Sequence, residues 1–201
     1  MHRDRNIIQE ILALVALKNS LYNKLHLSTV YGKSVWILDG KTKLSQSQYG
    51  ADFTNNFLRL GDDAYADRRG LTAILSKAGI SAPDPAYPCT YKFDFNASDP
   101  TTYIAEVRKF EELSVATYLG VLPTIANKDV MLILAGIGNA NARHGAYLRS
   151  LDGQVAIPRS YDVSISPSQS YSAFSKNIVS CPANSKSPAI SAKVFPTLTP
   201  I

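Results

Sequence analysis

The chain has no run approaching the ~18–20 consecutive apolar residues that a helical membrane span requires, which excludes an integral membrane protein of that kind. Cysteine is scarce. Cys89 and Cys181 are the only two, too few for a four-ligand zinc site. Charge is sparse and dispersed: the formal net charge is +5 over 201 residues, and the Lys and Arg form no cluster. The concentrated basic face that duplex nucleic acid demands is therefore missing. No proline precedes Pro83, so nothing in the first part of the chain forbids long helices. Also missing are a Gly-rich phosphate loop between a strand and a helix and a G-x-S-x-G nucleophile elbow. Of the three histidines, His2, His26 and His144, only His144 is placed where a site could form.

What is present is a composition of 45% hydrophobic and 18% charged residues, which suits a packed core and not a disordered chain. The length fits one domain. Four segments carry the 3.6-residue periodicity of amphipathic helices. The first spans about 5–26, with a stripe of Ile7, Ile11, Leu14, Lys18, Leu21 and Leu25. The second spans about 51–78, with Phe53, Phe57, Leu60, Ala64, Asp67, Leu71 and Ile74, and stops at Gly79. The third spans about 100–120. It opens on Asp99 as N-cap and Pro100 at the first helical position, and its stripe is Tyr103, Val107, Phe110 with Glu111, Ser114 and Tyr118. The fourth spans about 128–151, with Val130, Leu134, Ile137, Asn141, His144 and Leu148.

The third and fourth helices are joined by about half a dozen residues and so lie antiparallel as neighbours. The Pro-rich link of about twenty residues between the second and third suits a long crossover along a bundle. Between the first and second, Val35, Trp36, Ile37 and Leu38 followed by Asp39-Gly40 suggest a small hairpin. Gly136-Ile137-Gly138 falls inside the fourth helix and suggests close helix packing. From Gly153 onward the chain holds 11 Ser and 6 Pro, which rules out long helices there. Its apolar residues, including Val155, Ile157, Val163, Ile165, Tyr171, Phe174 and Ile178, are too many for a free linker. The expectation is a four-helix unit over 5–152 and an irregular Pro/Ser-rich tail over 153–201, packed on it and pinned by Cys181.

Two features point to an extracellular compartment. Cys89 and Cys181 both adjoin proline in loop-like stretches, where a disulfide would act as a staple. Asn96-Ala97-Ser98 is a candidate N-glycosylation sequon in a loop. The start of the chain points the other way. His2, Arg3 and Arg5 look like the basic opening of a secretion signal, but Gln9 and Glu10 interrupt the apolar stretch that should follow. A mature domain behind an added Met1, or a missing leader, would account for both.

Each apolar stripe is broken near its middle by polar groups: Lys18, Asp67, Glu111, and Asn141 with His144. Asn141 and His144, three apart, share a helix face. A bundle would bring such mid-helix residues to one level of its core, where a charge is costly unless it is paired or bound to a metal. At the edge of a stripe each could instead reach water, as a lysine does by snorkelling.

Three strings then resemble a known family. They are Tyr91-Lys92-Phe93-Asp94-Phe95, Phe110-Glu111-Glu112-Leu113-Ser114-Val115-Ala116-Thr117-Tyr118-Leu119-Gly120 and Ala142-Arg143-His144-Gly145-Ala146-Tyr147-Leu148-Arg149. The chain resembles the ferritin-like domain of desiccation-related and fungal stress-response proteins, over about residues 5–182. The resemblance implies an all-α, ferritin-like four-helix bundle. It also places Cys89 and Cys181 where secreted fungal members tend to carry cysteines, which favours a disulfide.

Ferritin-like di-metal proteins take a Glu from each of two helices and a Glu-x-x-His from each of the other two. Carried over by position, the first Glu falls on Lys18, with Val15 as the other possible match. The first Glu-x-x-His falls on Ala64 and Asp67, the second Glu on Glu111, and the second Glu-x-x-His on Asn141 and His144. Only Glu111 and His144 are kept in type. A lysine ammonium has no lone pair to offer and repels a cation. The expectation is therefore an ion-pair and hydrogen-bond cluster in place of the metals, with no cofactor and no catalytic residue. A single iron or manganese held by Asp67, Glu111 and His144 is the rival. The function implied is that of a secreted, non-enzymatic protein with a stress, desiccation or surface role, as a homo-oligomer or a cell-surface or wall component. Alternatives are a metal-dependent oxidase or iron-binding protein, and a structural or adhesive module.

Overall fold

The protein is known from a computed structural model, which describes residues 29–31, 34–36, 43–77, 90–91, 99–166, 169–170, 172–173, 176 and 178–180. The helix expected over about 5–26, with Val15 and Lys18, lies outside the described residues. So do Cys89, Asn96 and Cys181.

The described chain begins with three short strands, β1 (Thr29–Tyr31), β2 (Ser34–Trp36) and β3 (Lys43–Ser45). They form an antiparallel sheet in the order β1-β2-β3, with Val30 opposite Val35 and Val35 opposite Leu44. The hairpin expected around Trp36 is thus the β2–β3 pair, and β1 adds a strand to it. Because Trp36 pairs with Lys43, the connection spans residues 37–42 and is wider than a two-residue Asp-Gly turn.

A short helix α1 (Gln46–Tyr49) leads into α2 (Phe53–Lys77). The α2 stripe buries Phe53, Phe57, Leu60, Ala64 and Leu71. Tyr49, Phe53, Phe57 and Tyr103 form a chain of tilted rings with centroids 5.0, 5.3 and 6.2 Å apart, which ties α1 and α2 to the next long helix.

That helix, α3 (Pro100–Val121), starts where Asp99 accepts from Thr101 N at 3.0 Å and Pro100 presets the first turn. It is the central helix. Besides its main stripe it buries Ile104, Glu106, Val115 and Thr117, so more than one face is covered. A 3₁₀ turn (Leu122–Thr124) ends it at Pro123. Asn127 then caps α4 (Lys128–Leu151) by accepting from Asp129 N and Val130 N. The link is short, and α3 and α4 pack along their lengths. Gly138 permits the closest approach, since a Cβ there would lie 3.2 Å from Tyr118 Cβ. Gly136 has no such role: its face is exposed, with nothing within 4 Å of an added Cβ. One end of the core is filled by Leu71, Tyr118, Val121, Ile125, Leu134 and Ile137.

The chain beyond α4 corrects one expectation. Val155, Ile157 and Val163 are not packed on the helices; they are between 59% and 81% exposed. The contact is made by backbone and by small polar groups instead. Ile165 N donates to Ala116 O at 3.1 Å, and the hydroxyls of Thr117 and buried Ser170 lie 2.7 Å apart. This crossing depends on Gly120, where an added Cβ would lie on top of Ile165 O. Farther on, β4 (Thr90–Tyr91) and β5 (Ile178–Ser180) pair antiparallel, with Thr90 opposite Ser180. Tyr171, Phe174 and the residues after Ser180 lie outside the described residues.

Candidate functional site

Three helices each bring a polar residue to the same region of the core. Glu111, near the middle of α3, is completely buried. On α4, Asn141 is also completely buried, and His144 follows one turn later with its side chain 13% exposed. His144 Nδ1 stands 3.4 Å from Glu111 Oε1, and its Nε2 stands 3.2 Å from Asp63 Oδ2 on α2. The imidazole therefore links a carboxylate with no solvent access to one that is 34% exposed. Asp63 is held in turn by Arg59 at 3.5 Å, one turn back on α2.

The environment of Tyr118 reports on the same region. Burial pushes its phenol well above the ordinary value, and the charges of Asp67 and Glu111 add to that. Asp67 thus acts electrostatically on the same buried ring as Glu111. Ala64, which follows Asp63 in sequence, is also buried and carries only a methyl group.

Glu111 and His144 are accordingly brought together, with Asn141 buried one turn before His144 on α4, while Lys18 and Val15 lie outside the described residues. Asp63 is the residue that sequence reasoning missed. It lies beside the stripe, and helical periodicity assigns it to the solvent side. The signal was its position: it directly precedes Ala64, the helix position that carries no polar group. With nothing polar at Ala64, His144 meets the neighbouring carboxylate.

A second set of charges joins α3 to the end of α4. Glu112 bridges Arg149 at 2.8 Å and Arg108 at 3.2 Å, and Arg108 also reaches Asp152 at 3.3 Å. On α3 these residues lie near mid-helix, and on the other side Arg149 and Asp152 lie at the end of α4. Among the described residues no helix is long and apolar enough to cross a membrane.

Long helices that carry a buried carboxylate, amide and imidazole inward at mid-length define a helical domain with a polar centre, the arrangement on which di-metal bundles are built. The ferritin-like domain family model matches residues 4–154, and the chain belongs to that family. No curated protein matches the sequence.

Proposed function

We propose that the chain is a secreted, non-enzymatic ferritin-like protein whose di-metal centre has been lost, leaving a structural polar cluster with a stress, desiccation or surface role. The donor set carries this reading. Two divalent cations need several carboxylates for charge balance and bridging. Ala64 is a methyl at a ligand position, and Asn141 is a neutral amide where a carboxylate belongs. These residues do not fit a di-metal group. Lys18, if its helix aligns as the resemblance implies, adds a fixed cation.

His144 nevertheless keeps the posture of a ligand. In metal sites the outer ring nitrogen is commonly pinned by a carboxylate while the inner one faces the ion. Here Asp63 occupies the outer position and Glu111 the inner. This favours a second reading, a single-metal site on Glu111 and His144 with Asp67 as third ligand. Titration with ferrous iron or manganese, read as bound metal after desalting, separates the two. Wild type should retain none. The variant Lys18→Glu, Ala64→Glu, Asn141→Glu should retain metal. Stoichiometric metal in wild type would establish the second reading and overturn the first.

The proline-flanked Cys89 and Cys181 and the sequon Asn96-Ala97-Ser98 support the secreted assignment. A surface or adhesive role has its own support in the segment after α4, where Ile157 and Tyr161 are exposed together.

A further inference from the structure

A cavity of about 250 Å³ opens between α3, α4 and residues 156–163. Its floor is made of small residues, Ala116, Ala142, Gly145 and Ala146. An added Cβ at Gly145 would meet only Glu112 Cγ, at 3.7 Å, an ordinary van der Waals distance. Val115, Ile157 and Val163 supply an apolar wall. Glu112 and Arg149 also line the cleft, but they neutralise each other at 2.8 Å.

Two more charges face the cleft, Arg159 and Asp162. Neither has an ion-pair partner among the described residues, and they do not pair with each other. A guanidinium and a carboxylate that share one cavity without neutralising each other present complementary charges to a ligand bearing both signs. The volume lies just under the roughly 300–1,000 Å³ of drug-sized sites, so the ligand is small. We infer that this cleft binds a free aliphatic α-amino acid. Its carboxylate pairs with Arg159, its ammonium with Asp162, and its side chain lies against the apolar wall. The cleft does not include Glu111 or His144, but it is also lined by Asn141, so it adjoins the polar centre.

L-valine is the probe, with isovalerate, which lacks the ammonium, and isobutylamine, which lacks the carboxylate. Calorimetric titration of the full chain should show saturable valine binding. Each analogue should bind about tenfold or more weakly, as loss of one charge-assisted hydrogen bond implies. Arg159→Gln should reduce valine to the level of isobutylamine, and Asp162→Asn should reduce it to the level of isovalerate. Gly145→Leu should fill the cleft and abolish binding. Should that variant fold poorly, the two charge variants, both at exposed positions, still decide. The inference is overturned if wild type shows no saturable valine binding, if an analogue binds as well as valine, or if binding survives both charge variants unchanged.

Discussion

Removing His144 should be far more damaging than its partly exposed position on α4 suggests. Glu111 is completely buried, and among the described residues the only ion-pair partner within 4 Å of it is His144, at 3.4 Å. His144→Ala leaves that carboxyl without this partner in a place water does not reach. Breaking a buried pair from one side costs about 3–5 kcal/mol. At the ~2–4 °C per kcal/mol typical of domains of 150–250 residues, the melting temperature should fall by roughly 6–20 °C. Removing both partners in Glu111→Leu, His144→Leu should be close to neutral or stabilising, because no charge is stranded. Asp63→Asn keeps a hydrogen-bonding group for Nε2 at a half-exposed position and should cost less than about 1 kcal/mol. Urea denaturation of Glu111→Leu, His144→Leu and the double variant closes a cycle, and the coupling between Glu111 and His144 should reach about 1–3 kcal/mol. The assay is run with and without a chelator. Chelator should leave wild type unchanged. A His144→Ala cost below about 1 kcal/mol, or additive single effects, would refute the pairing. A chelator-induced fall in wild-type melting would show that a metal, and not the imidazole, balances Glu111.

Three other outcomes are expected. Gly120→Ala should destabilise by about 1–3 kcal/mol, because its Cβ meets Ile165 O, whereas Gly136→Ala, with nothing nearby, should stabilise by about 0.5–1 kcal/mol as Gly-to-Ala does in an open helix; equal effects in thermal melts would mean the chain does not cross α3 there. Cys89 and Cys181 should appear as a linked peptide in an unreduced digest of protein from an oxidising source, and reduction should cost about 4–5 kcal/mol for a closed loop of about ninety residues; two freely alkylated thiols would end the disulfide and weaken the secreted assignment. Tyr118, Tyr49 and Tyr147 are all raised above the ordinary 10.0, with burial the largest cause in each. The folded chain therefore keeps phenol protons that the unfolded chain releases. Stability should be insensitive to these groups below pH ~10 and fall as the pH rises beyond it. An ordinary tyrosinate absorbance titration of the native protein, complete near pH ~10, would contradict this.

The helices of the described region were legible because their signals are local. Asp99-Pro100 and Asn127 cap α3 and α4 with their own side chains, and the apolar spacing of Phe53, Phe57 and Leu60 or of Leu134, Ile137 and Leu148 depends only on the 3.6-residue turn. The approach of His144 to Glu111 is consistent with the same local signal, since inward-facing stripe positions at mid-helix come together once helices pack. Three things needed the tertiary structure. Asp63 became the partner of His144 only because α2 and α4 set their neighbouring faces together, and an off-stripe carboxylate carries no periodic mark of that. The route of the chain after α4 was invisible because it is set by a backbone donor, Ile165 N, and by the space that Gly120 leaves, not by the burial of Val155, Ile157 and Val163. The cleft holding Arg159 and Asp162 likewise arises between elements far apart in sequence. Periodicity describes what one element presents to its surroundings, whereas a contact between two elements depends on their relative placement, which only the packed chain determines.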